Sequence, residues 1–202
     1  TVAAAVRRHC HLDHGVLFVG AERIDLRGVG RVIVVGAGKA SAPMAQAVED
    51  LLGDRVEGGV VVVKYGHGAA LRRVRCIEAA HPLPDAAGER AARDLIAAVA
   101  GLAADDLVIA CISGGASALT PAPRPPLTLA DKQAVTRELL ACGAPIAAIN
   151  AVRKHCSRLK GGQLARLVAP ARLVALVLSD VIGDDFSTIA SGATVADPST
   201  FA

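Results

Sequence analysis

Two glycine-rich turns and an uneven use of cations carry the chemistry that this sequence advertises. Gly36-Ala37-Gly38-Lys39 follows an apolar run and precedes a helical pattern. Glycines at a strand-to-helix turn let backbone N–H groups close on an anion, and the lysine adds a compact charge. Ser113-Gly114-Gly115-Ala116-Ser117 is a second such turn, with two hydroxyls suited to phosphate or carboxylate oxygens. Neither matches a standard nucleotide fingerprint. The leading glycine of a Walker A loop would fall at Ile33, and Ala40 follows the lysine. As a dinucleotide fingerprint the first turn has Ser41 in place of the third glycine, and Lys64 rather than an acid ends the next strand. The G-x-S-x-G elbow of serine hydrolases is absent from the second turn. Taken alone, either turn is also compatible with a tight loop that binds nothing.

The chain carries 17 arginines and only five lysines, Lys39, Lys64, Lys132, Lys154 and Lys160. Lys39 and Lys64 stand at strand ends, the latter in Lys64-Tyr65-Gly66-His67. Lys154 and Lys160 lie in the polar stretch from Asn150 to Gly162. On a continuous helix Asn150, Lys154 and Ser157 would be near-neighbours, as would Arg153, Ser157 and Lys160. That face could hold an anion or simply be solvated. Asp180 and Asp184, after the last strand, could hold Mg²⁺, accept a proton or cap a helix. His67 and His81 occupy similar positions, and His81, before Pro82, could be a structural turn residue. His9, His11 and His14 lie too near the start to be read as a metal site.

These residues need a scaffold that brings strand ends together. Strands are expected at Val32–Val35, Gly59–Val63, Val74–Glu78, Leu107–Ile112 and Arg172–Leu178. They read as continuous apolar runs, as strands covered on both faces should. Between them the 3.6-residue period marks helices. One carries Met44, Ala45, Val48, Leu51 and Leu52; another carries Ala91, Ala92, Leu95, Ile96, Val99 and Leu102. A third spans about Thr128 to Leu140, and a fourth runs from Ile146 through Leu159 until Gly161-Gly162 stops it. A first short helix opens the chain, and Pro121–Pro126 forms a stiff surface connection. The alternation predicts an α/β fold with a mostly parallel sheet. Ligands of such sheets bind outside the carboxyl ends of the strands, where all five candidate ends carry glycine or functional side chains.

Composition excludes several classes. Apolar residues make up 52% and aromatics 2%, with a formal charge of +3, too slight a basis for nucleic-acid binding. No apolar stretch approaches the ~20 residues of a membrane helix. Five scattered cysteines without a C-x-x-C pair suit a reducing compartment, hence an expected cytoplasmic location.

The motifs in order resemble a known family. Val34-Val-Gly-Ala-Gly-Lys-Ala40, Lys64-Tyr-Gly-His67, Ala80-His-Pro-Leu-Pro-Asp85 and Ile112-Ser-Gly-Gly-Ala-Ser-Ala-Leu119 are followed by the Asn150–Gly162 stretch. Leu178-Ser-Asp-Val-Ile-Gly-Asp184 and Ile189–Thr200 complete the series. Together they look like the N-terminal domain of the MOFRL-type (class II) glycerate 2-kinases, some of which carry the label hydroxypyruvate reductase. The resemblance implies a Rossmann-like three-layer α/β/α sandwich. Residues 1–202 would be one such domain, cut short at both ends and lacking the C-terminal domain that closes the site.

It further implies transfer of phosphate from ATP, with Mg²⁺, to the 2-hydroxyl of D-glycerate. By position Lys39 and Asp180 become catalytic, Asp180 also a Mg²⁺ ligand. Gly36, Gly38, Lys64, His67, Ser113, Gly114, Gly115, Ser117, Asn150, Arg153, Lys154, Lys160 and Asp184 become substrate or nucleotide contacts. No nucleic-acid or membrane partner is implied, and a homodimer stays open. Ala116 replaces a usual third glycine, and Ala193 departs from the usual Ser-Gly-Pro-Thr. An NAD(P)-dependent hydroxypyruvate reductase and a non-catalytic binding module are the alternatives.

Overall fold

The computed structural model describes residues 1–179 and 185–199, without the side chain of Ile146. Its centre is a five-stranded sheet, all parallel, made of β4 (Val32–Ala37), β5 (Val56–Lys64), β6 (Arg75–Ala79), β7 (Leu107–Ser113) and β8 (Arg172–Leu178) in the order β6-β5-β4-β7-β8. The α/β class and the parallel sheet are therefore as expected, and β8 has the expected limits. All six residues of β4 are buried. Val32 and Val34 pack with Met44 and Val48 of α2 (Ser41–Leu52) on one face. Ile33, Val35 and Ala37 pack with Ala91 and Leu95 of α3 (Ala86–Ala98) on the other. Two apolar layers explain why the central strands show no polar alternation. The edge strands β6 and β8 are only partly buried.

Residues 1–25 hold an element that the sequence did not reveal. After α1 (Val2–His9), strands β1 (Cys10–Asp13), β2 (Val16–Val19) and β3 (Glu22–Asp25) form a separate antiparallel sheet. Each has a single buried residue, Cys10, Leu17 or Ile24. Four-residue strands with one apolar anchor are too short to show a period of two. His11 stacks on Phe18 with ring centroids 4.6 Å apart, so it serves packing there.

Between β7 and β8 come α4 (Ala116–Leu119), α5 (Leu129–Ala141), α6 (Ile146–His155) and α7 (Gln163–Val168). The expected fourth helix is wrong beyond His155. Ser157 leaves it to form a bridge with Pro123, flanked by Arg124 N–H to Cys156 O (3.2 Å) and Arg158 N–H to Ala122 O (2.9 Å). The proline segment is accordingly not all surface, since Pro121 and Ala122 are buried. Asn150, Arg153 and Lys154 stay on α6, but Ser157 and Lys160 belong to the turn that follows.

The amino ends of β4 and β7 are held by one carboxylate. Asp106 is 3% exposed and accepts from Arg31 Nε and Nη2 (3.0 and 2.5 Å), Arg31 N–H (2.8 Å) and Ala103 N–H (2.7 Å). The Arg31 guanidinium, aided by the two amides and opposed by burial, lowers its carboxyl from 3.8 to about 2. The stabilisation is therefore complete above the ordinary value and lost as pH falls through the folded one. Thermal melts across that window should show a steeper acid loss for the native protein than for Asp106→Asn. Parallel curves would show that the pair does not link stability to pH.

Candidate active site

Strand order fixes where a ligand can enter. The chain builds β4, β5 and β6 outward on one side, then returns to place β7 against the other side of β4. The carboxyl ends of β4 and β7 are thus the topological switch point, where helices leave to opposite faces and open a crevice. Gly36, Gly38 and Lys39 lie at one lip and Ser113, Gly114 and Gly115 at the other.

The glycines are there because the two turns touch. A Cβ on Gly36 would overlap the Cys111 carbonyl, and one on Gly38 would overlap Ser113; Gly38 also has φ +133°. The contact is sealed by hydrogen bonds. Lys39 N–H donates across it to Gly114 O (3.0 Å), while Gly38 N–H is taken by Val62 O of β5 (3.0 Å) and Ser41 N–H by Gly38 O within the turn (3.2 Å). Ala40 N–H donates to Ser113 Oγ (2.9 Å), and Ser41 Oγ donates to Cys111 O (2.8 Å). This corrects the expectation of a backbone anion cradle. Every amide from Gly38 to Ser41 already has a protein acceptor, so the turn offers an anion the lysine side chain instead. Ser113, 2% exposed and holding Ala40, is likewise structural. Cys111 beneath it is no nucleophile, because burial pushes its thiol up to about 12.

The Lys39 side chain is exposed and, among the described residues, has no hydrogen-bond or ion-pair partner. Its neighbours are Gly115 and a residue that the sequence left ambiguous, His81. A Cβ on Gly115 would stand 3.1 Å from His81 Cδ2, 3.2 Å from Nε2 and 3.7 Å from Lys39 Cγ. Lys39 and His81 therefore flank one glycine, beyond the carboxyl ends of β4, β6 and β7. The available signal was position, since His81 follows a strand as the other candidates do. Lys64 is half-buried at the end of β5, without a partner among the described residues. His67 beyond it is exposed, on a loop fastened by Gly66 N–H and Gly68 N–H to Glu78 Oε1 (3.0 and 3.1 Å).

The remaining cations divide. Lys160 is 2% exposed, and its Nζ donates to Ser117 O (2.7 Å). Burial, then Lys132 and Arg153 nearby, push its ammonium well below the ordinary lysine range. It braces the end of the second glycine turn, buried rather than on the open helix face expected for an anion contact. Ser117 Oγ meets Ser191 Oγ at 3.0 Å. Lys154 is also buried, in an ion pair with Asp197 (3.0 Å). Arg153 is half-buried with its guanidinium unpaired among the described residues, and Asn150 lies one turn before Lys154. Asp180 and Asp184 fall outside the described residues. Among those described, no group of three or more His, Cys, Asp or Glu side chains is placed to hold a metal, and no helix is long and apolar enough to cross a membrane.

The whole chain, residues 1–202, matches the family described as Domain of unknown function (DUF4147). The chain belongs to this family. A putative hydroxypyruvate reductase of Agrobacterium vitis is 55% identical to this DUF4147 chain over 173 residues, covering 86% of the chain and 40% of that protein. A glycerate 2-kinase of Pyrococcus horikoshii is 45% identical over 172 residues, covering 85% of the chain and 38% of that protein. A crystal structure of a Pyrococcus horikoshii OT3 protein superposes with a TM-score of 0.94 at 40% identity, over 99% of the chain and 45% of its own. The family read from the motifs and the three-layer α/β fold both hold. The chain spans less than half the length of these relatives.

The Gly115 position supplies a test of the geometry. Gly115→Ala would impose a left-handed backbone (φ +91°) on a residue with a Cβ and press it on His81. A loss of about 1–3 kcal/mol is expected, read from the urea midpoint. An unshifted midpoint would show that His81 and Lys39 do not crowd this turn.

Proposed function

We propose that this DUF4147 chain supplies the lysine-bearing side of an ATP-dependent glycerate 2-kinase site. The reaction would pass the γ-phosphoryl of ATP to the 2-hydroxyl of D-glycerate, giving 2-phosphoglycerate and ADP. The observation that carries this reading is Lys39, an exposed cation whose side chain has no partner among the described residues, held on fully bonded backbone at the switch point. Phosphoryl transfer asks chiefly for positioning and charge neutralisation, and a lysine held so is pre-organised for charge that develops in the transition state. The name of the Pyrococcus horikoshii glycerate 2-kinase supports the same chemistry.

In this reading Lys39 faces the transferred phosphoryl group. Lys64, next along the sheet edge, would attract the glycerate carboxylate or a phosphate oxygen. Asp180, assigned from its motif, would orient or deprotonate the 2-hydroxyl. Mg²⁺ would neutralise phosphate oxygens when bound with the nucleotide; the described residues offer no carboxylate cluster for it, so no step is derived through it.

The reductase reading rests on the name of the Agrobacterium vitis relative. Against it stands the Gly36–Lys39 turn. A dinucleotide fingerprint works by offering backbone amides to a pyrophosphate, and here those of Gly38, Lys39 and Ala40 are engaged.

The test is an ADP-release assay on the complete gene product with D-glycerate and ATP. Lys39→Ala should lower kcat by about 10²–10³-fold, the loss typical when one pre-organised donor is removed, with correct folding checked by its melt. Normal glycerate-dependent ADP release by the variant would remove Lys39 from catalysis. Hydroxypyruvate-dependent oxidation of NADH by the native protein, without kinase turnover, would replace the reading with the reductase.

A further inference from the structure

A cavity of about 520 Å³ lies away from Lys39, beside the glycine pair that follows Lys160. Three segments wall it: the turn after α6, the start of α7 and residues 195–199. Its shape is set by internal bonds. Gly161 and Gly162 both have positive φ, and a Cβ on either would stand 2.9 Å from Asp197 Oδ2 or 2.8 Å from Val195 O. Their N–H groups donate to Ser191 O (2.9 Å) and Gly192 O (2.7 Å). The Lys154–Asp197 ion pair closes the back wall. Arg124 is carried to the rim by the bridge between Pro123 and Ser157.

The charge inside is one-sided. Lys154 and Asp197 cancel each other. Arg124 and Arg166 line the same cavity, both exposed and unpaired among the described residues. His155 also lines it, with Nδ1 2.8 Å from Ala151 O. Two unpaired guanidinium forks in a preformed concavity suit a phosphorylated ligand, because each fork can hold two phosphate oxygens. The volume lies within the ~300–1,000 Å³ of small-molecule sites, whereas glycerate, with seven heavy atoms, would leave most of it empty. Val195, Ala196 and Ala165 supply apolar wall of the kind that a heterocycle covers. The cavity is also wired to the candidate active site. Gly161 follows Lys160, whose Nζ bonds Ser117 O, two residues from the glycine that Lys39 and His81 flank.

We propose that this cavity is the nucleotide pocket, with Arg124 and Arg166 gripping the α- and β-phosphates of ATP and the γ-phosphoryl left to Lys39, while the Lys64 side of the sheet edge receives glycerate. The assignment rests on the kinase reading and divides its two ligands between two places. The pocket takes a nucleoside polyphosphate, and a small carboxylate gains little there.

The experiment uses the complete gene product, calorimetric titration with ADP, and steady-state kinetics in both substrates. Arg124→Ser with Arg166→Ser should weaken ADP binding and raise the KM for ATP by tenfold or more. The KM for glycerate should stay within about twofold, and the salt dependence of ADP binding should flatten as phosphate contacts are lost. Arg166→Lys, which keeps charge without the fork, should fall between native and Arg166→Ser. Native turnover with unchanged ATP parameters in the double variant overturns the pocket and leaves the kinase standing. A rise in the glycerate KM alone overturns it in favour of a carboxylate site. A native protein that binds ADP in an arginine-dependent way yet does not phosphorylate glycerate supports the pocket and removes the kinase reading. A native protein that binds no ADP overturns both.

Discussion

The approach of the β4 turn to the β7 turn is the constraint on which the rest of the candidate site depends. Two carboxyl ends of adjacent parallel strands ordinarily diverge as their helices leave to opposite faces. Here they are drawn together because Gly36 and Gly38 lack a Cβ where the Cys111 carbonyl and Ser113 would meet one. The resulting bonds from Lys39, Ala40 and Ser41 to β7 and its turn fix the Lys39 backbone at a depth set by the sheet itself. A side chain launched from such a point loses little further backbone freedom on engaging a ligand, which is the physical content of pre-organisation. The arrangement also has a chemical cost. Amides spent on β7 are unavailable to an anion, so the site must rely on charged side chains.

Buried charge follows the same economy across the molecule. Glu49 is 2% exposed; burial opposes its ionisation, but three backbone N–H groups, from Arg72, Arg73 and Val74 (2.8, 2.8 and 2.9 Å), outweigh it. Asp106 has Arg31, and Lys154 has Asp197. Lys160 departs from the pattern, with a carbonyl as acceptor and two further cations nearby. A buried ammonium without a counter-ion loses its charge easily. Among the described residues Lys160 has no counter-ion, and its ammonium acts there as a hydrogen-bond strut to Ser117 O. Its place in a lysine-rich motif reflects reach more than charge.

The central fold was legible because burial on both faces leaves an unmistakable trace. Val32–Val35 and Leu107–Ile112 read as strands with no knowledge of their neighbours, and the glycine spacing after β4 announced a close approach. What the approach was for could not be read locally. The acceptor of the Ala40 amide is Ser113, 73 positions away, and only the strand order brings it there. The same holds for Ser157, which completes an apparently continuous helical pattern until Pro123 captures it. Arg124 and Arg166 gave no signal, being single arginines among 17. His81 gave a partial one through its position after a strand.

The two glycine systems, Gly36/Gly38 and Gly161/Gly162, perform the same task at two ends of one polar seam. Each lets a backbone segment press against another where any side chain would hold them apart, and each uses its own amides to do so. In both places the recognition left to a ligand is cationic: Lys39 and Lys64 at the sheet edge, Arg124 and Arg166 at the cavity. Lysines present point charges, and arginines present planar forks. The reaction proposed above, between a small hydroxy acid and a polyphosphate, would use both kinds. The small acid suits point charges that tolerate movement during transfer, and the polyphosphate suits forks that hold it still. Between them lies Ser117, bonded to Lys160 on one side and to Ser191 on the other.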